Sequence, residues 1–91
     1  MGYILVIAQD WLTRSLIAAQ LEEEGYEVSG SATVMGAALQ LRELGIRPEL
    51  IIIEALEQDF SQRAIDLLGM ACEQTSLILI HGACDYPFRL R

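Results

Sequence analysis

Four short β-rich runs punctuate this chain, and between them apolar residues recur every three or four positions. Residues 3–8 (YILVIA) are continuously apolar, which predicts a strand covered on both faces, not one wetted on one side. Asp10 then stands where a helix N-cap belongs. From Trp11 the spacing of Leu12, Leu16 and Ala19, with Ile17 and Leu21, predicts a helix with a buried stripe that stops at Gly25. The triplet Glu22, Glu23, Glu24 opposes the dipole at that helix end and reads as a solvated face.

Residues 26–32 alternate more weakly, the mark of a strand nearer the sheet edge. A helix over about residues 34–44 follows, with Met35, Ala38, Leu39 and Leu41 as its core face and Gly45 as its stop. Pro48 bars continuation. Residues 50–53 are the most β-branched stretch of the chain and predict the central strand, ending at Glu54. Asp59 to Gln62 has the spacing of a capping box, opening a helix that buries Phe60, Ala64, Leu67 and Ala71. Residues 77–80 give a fourth strand, and residues 81–91 are too short for another helix and strand.

Strands alternating with helices through short connections imply right-handed crossovers, hence an α/β fold with a parallel sheet and helices on both faces. In such folds ligands collect at the carboxyl ends of the strands. That directs attention to Ala8, Gln9, Asp10, Glu54 and His81.

Composition narrows the chemistry. The 91 residues carry 6 Lys+Arg against 13 Asp+Glu, a net charge of −7, and 53% are hydrophobic, so the chain packs a core and is no acidic tail. At this size folding buries only roughly 60–65% of the unfolded surface, so stability is modest. All the basic residues are arginine: Arg14, Arg42, Arg47, Arg63, Arg89 and Arg91. Without lysine there is no phosphate loop ending in Gly-Lys, no Schiff base and no lysine general base. Scattered arginines and net negative charge speak against nucleic acid as a partner. The first apolar run is too short to span a membrane, so a membrane partner is not expected and a cytoplasmic location is. Cys72 and Cys84 read as reduced core residues.

Three segments together resemble the receiver domain of two-component response regulators: residues 4–14 (ILVIAQDWLTR), 21–28 (LEEEGYEV) and 47–54 (RPELIIIE). The likeness runs in register over about residues 3–83 and implies a flavodoxin-like sheet of strand order 2-1-3-4. It also implies phosphoryl transfer to an aspartate ending the third strand, with magnesium held by that aspartate and by an acidic pair ending the first. The metal offsets charge building on the transferring oxygens, so the pair is needed for the chemistry. Here the pair falls on Ala8 and Gln9, the phosphoacceptor position on Glu54 and the switch hydroxyl on His81. The expected lysine would lie on a fifth βα unit that the resemblance leaves missing, dividing the chain into a truncated receiver-like domain, 1–84, and a tail, 85–91.

Those departures predict a degenerate receiver: no phosphotransfer, no enzyme activity, no cofactor and no metal. Glu54 carries its carboxylate one methylene further out, which makes it a candidate fixed mimic of a phosphorylated state. Two alternatives stand beside this reading. One is an atypical receiver still phosphorylated at Glu54 or Asp10. The other is a small metal-binding enzyme using Asp10, Glu54 and His81, for which Asp10 as a cap and a Glu54–His81 pair is the plainer account. His81 near Cys84 lacks an orienting third group for a nucleophile–base pair. Trp11 either anchors a partner or plugs a vacated pocket, and Tyr86 and Phe88 supply apolar material in the tail. The partner is expected to be another protein, or a second copy paired along an open fourth-strand edge in a homodimer.

Overall fold

In a computed structural model, residues 2–45, 47–55, 58, 61–71 and 75–80 are described. They form β1 (Tyr3–Ile7), α1 (Trp11–Glu23), β2 (Glu27–Ser31), α2 (Val34–Leu44), β3 (Leu50–Glu54), α3 (Gln62–Ala71) and β4 (Ser76–Ile80). The four strands pair in parallel in the order β2-β1-β3-β4. Both inner strands, β1 and β3, are the continuous apolar runs, because a strand covered on two faces has no wet side on which to place polar residues. The weakly alternating β2 takes an edge.

The pleat divides the core in two. Leu5, Ile7, Ile51 and Ile53 point to one face and pack with Val34, Ala37, Ala38 and Leu41 of α2 and Ala64 and Leu68 of α3. Ile4, Val6 and Ile52 point to the other and pack with Ile17 and Leu21 of α1. At about 1.5–3 kcal/mol for each large aliphatic side chain fully buried, the two inner strands hold most of the fold's hydrophobic stabilisation.

Three expectations need correction. Leu12 and Leu16 are exposed (54% and 62%), and Ala19 is exposed too, so α1 buries Ile17 and Leu21 alone of its expected stripe. The helix is apolar on two opposite faces, and a sheet covers one of them. Leu39 of α2 is likewise exposed, its place in the core being taken by Val34 and Ala37. At α3 the cap is Ser61: its Oγ accepts from the Ala64 amide at 3.2 Å, and its carbonyl takes the Ile65 amide. Gln62 therefore opens the helix and does not sit at the third helical position that a cap at Asp59 requires.

The stop at Gly25 has a physical cause. Gly25 adopts φ 98°, a left-handed conformation that costs a side chain dearly, and its amide donates to the Glu22 carbonyl while Tyr26 donates to Leu21. Cys72, His81, Cys84, Tyr86, Phe88 and the whole tail lie outside the described residues, as do Asp59 and Phe60.

Candidate functional site

The carboxyl ends of β1 and β3 lie side by side. Their register runs from Ile4 beside Leu50 to Ile7 beside Ile53; carried one residue on, it sets Ala8 beside Glu54. Strand alternation puts both on the α1 side of the sheet, with Val6 and Ile52. Ala8 is fully buried and Glu54 only 5% exposed, and Glu54 is the one buried charged residue among those described. At these two neighbouring strand ends one side chain is a methyl group and the other a carboxylate. Gln9, next along the chain, is exposed.

Asp10 caps α1. Its Oδ2 accepts from both the Thr13 amide and the Thr13 hydroxyl, each at 2.8 Å, so Asp10 is the N-cap the sequence predicts. The Thr13 amide, then its hydroxyl, with a smaller contribution from Arg14, hold the Asp10 carboxyl below its ordinary range. A lowered folded-state value means the cap's stabilisation is complete above the ordinary value of 3.8 and is lost as pH falls through the lowered one. Thermal unfolding followed from about pH 7 down to about pH 2 should therefore show Asp10→Asn losing less stability on acidification than the natural protein, because asparagine caps without titrating.

Two side chains that no local sequence pattern marks, Arg14 and Gln58, tie together the segments that follow the strands. Arg14 donates from Nη1 to the Ala8 carbonyl at 2.7 Å, and its stem lies over Gly30 of β2. A Cβ at Gly30 would meet Arg14 Cδ at 3.0 Å, so the glycine inside β2 makes room for this arm. A glycine within a strand is a known sign of close approach, and here it was the available clue. On the other flank Gln58 donates from Nε2 to the Ala32 carbonyl at 2.9 Å and accepts from the Val34 amide at 3.2 Å. It ties the loop after β3 to the N-terminus of α2, whose own cap is Thr33. Gln58→Ala should lower stability by about 1 kcal/mol, measured by denaturant unfolding, since it leaves one amide of a helix start unpartnered.

The donor set does not suit magnesium. That ion takes hard oxygen ligands, chiefly carboxylates and water, and the three strand-end positions offer a methyl, an exposed amide and one carboxylate. Among the described residues no three of His, Cys, Asp and Glu come together to hold a metal. None of their helices is long and apolar enough to cross a membrane. Trp11 is 68% exposed at the start of α1, so it does not plug a pocket.

A parallel sheet of order 2-1-3-4 with α1 on one face and α2 and α3 on the other is the flavodoxin-like arrangement of receivers. Solved structures bear this out. The chain is similar to the receiver domain of NtrC4 from Aquifex aeolicus at 26% identity, with TM-score 0.70 over 90% of this chain and 67% of that one. A protein described as pilus assembly-related from Burkholderia pseudomallei matches at 19% identity and TM-score 0.70, over 89% of this chain and 62% of that one. A fusion carrying the yeast Spc42 trimeric coiled coil matches at 21% and TM-score 0.72, over 88% and 53%. These last two share the fold. The chain spans between 53% and 67% of the three structures. No family model matches it, and no curated protein does.

Proposed function

We propose that this domain is a receiver-shaped interaction module of signal transduction that does not accept a phosphoryl group. The observation that carries the reading is that Ala8 and Glu54, both buried, follow the paired ends of β1 and β3. A frame that in receivers brings carboxylates together at these strand ends has a methyl group in place of one. Phosphoryl transfer depends on positioning and on cations that neutralise developing charge. Among the described residues Arg14 reaches the end of β1, where its Nη1 donates to the Ala8 carbonyl.

With phosphotransfer removed, what the fold offers is surface. Leu77 of β4 is 55% exposed, and among the described residues no strand pairs the outer edge of β4, which supports contact with a partner or a second copy along that edge. The reading of Asp10 as a phosphoacceptor is weakened by its two bonds to Thr13. Intact-mass measurement after incubation with acetyl phosphate and magnesium tests the proposal: the mass should be unchanged, and a phosphoryl adduct lost in Glu54→Gln would overturn it.

A further inference from the structure

We infer that the groove between α2 and α3 binds a small monocarboxylate with an apolar tail. The groove has a volume of about 250 Å³ and is lined by Ala38, Leu39 and Arg42 of α2 and by Leu67 and Met70 of α3. On each helix positions three or four residues apart share a face, so these side chains meet across the helix pair. Both helices cover the same side of the sheet, and each runs back from the carboxyl end of one strand to the amino end of the next. The lining comes from their C-terminal halves, at the end of the sheet opposite Glu54. The groove is thus independent of the strand-end site and of the interaction-module reading built on it.

Its walls are apolar and open. Leu39 has the spacing of a core residue yet is 47% exposed, and Met70 is 78% exposed. Ala38 is buried and small and forms the floor, while Leu67 is half-buried against the core. Met70 adds a flexible, polarizable thioether that adapts to an irregular guest. A dry cavity of about 150 Å³ takes a benzene ring, and in proportion the volume here takes about ten non-hydrogen atoms. That is a small acid and not a nucleotide or a large cofactor, whose clefts run from about 300 Å³ upwards.

Charge sets the head group. In a protein of net charge −7, the charged side chain that lines the groove among the described residues is a cation, Arg42. It stands in the last turn of α2, where it also offsets the negative end of the helix. That end disfavours an anion, but it is a partial charge at the surface, and the guanidinium is a full one that takes a carboxylate through two parallel hydrogen bonds. An ammonium head would meet a like charge there. A tail lying along Leu39, Leu67 and Met70 with its carboxylate on Arg42 uses both halves of the groove.

Octanoate matches this size and chemistry, and methyl NMR of the protein labelled at leucine and methionine reads the groove. Titrated octanoate should shift the methyls of Leu39, Leu67 and Met70 together and saturably, while those of Leu12 and Leu16 on α1 stay in place. Octylammonium, the same tail with a cation, and acetate, the same head without the tail, should leave the groove methyls unmoved. Arg42→Gln should weaken octanoate binding by about tenfold or more, and Arg42→Lys, which keeps the charge and loses the fork, should fall between. Arg42 is exposed and glutamine is nearly as good a helix former, so an unchanged Tm shows that the fold is kept. Met70→Asp, at an exposed position, should weaken binding as well by setting a carboxylate against the ligand's own. Absence of saturable shifts, equal shifts with octylammonium, or unchanged affinity in Arg42→Gln would overturn the inference. Shifts of the same methyls on raising protein concentration without octanoate would overturn it too, by giving the groove to a second copy.

Discussion

Leu21→Ala should cost this domain about 3 kcal/mol and Leu16→Ala under about 0.5 kcal/mol, although both remove the same three carbons from the same helix. Leu21 is 1% exposed and packs with Ile4, Val6, Ile17 and Ile52, so its removal loses the transfer energy and leaves a cavity. Leu16 is 62% exposed, and alanine is the better helix former, so the two effects of its removal nearly cancel. For a domain of this size each kcal/mol moves Tm by about 4–8 °C, so the first variant should melt roughly 15 °C lower and the second close to the natural protein. Thermal unfolding by circular dichroism measures both. Equal losses would mean that Leu16 is buried and that the outer face of α1 is not free.

Placing an acidic pair at positions 8 and 9 should create a dependence of stability on magnesium. In Ala8→Asp with Gln9→Asp, a carboxylate enters a fully buried position beside Glu54. Without metal that charge is desolvated and faces a like charge, which should cost several kcal/mol. Magnesium binding to the folded state should return part of it, about 2.7 kcal/mol at one hundred times the dissociation constant. The natural protein's Tm should not move with magnesium. Gln9→Asp alone, at an exposed position, keeps the test open if the double variant fails to fold. A Tm of the natural protein that rises with magnesium would contradict the account of its donor set.

The sheet was legible in the sequence because its inner strands are apolar on both sides and lie between stops with clear causes, Gly25, Gly45 and Pro48. The strand order came from the resemblance, not from periodicity, which does not say which strands are neighbours. The orientation of α1 was not legible. Leucines line both faces, so period alone does not choose, and what sets the rotation is the Asp10 cap together with Arg14 reaching over Gly30 to Ala8. The cap of α3 was misplaced because Asp59 and Ser61 both suit the role, and the choice depends on where the loop after β3 delivers the chain. At the site, Ala8, Gln9, Asp10 and Glu54 were all visible as positions at strand ends. Gln58 was not, since its partners are 24 and 26 residues away and no local pattern marks such a pair.

The most direct measurement is the amide NMR spectrum of the isotopically labelled protein with and without magnesium and beryllium fluoride, which together mimic a bound phosphoryl group without requiring it to survive hydrolysis. The resonances of Ala8 to Trp11 and of Glu54 and Ala55 should stay where they are. Saturable shifts in those residues, lost in Glu54→Gln, would show that the strand ends still form a phosphoryl site and would contradict the proposed function.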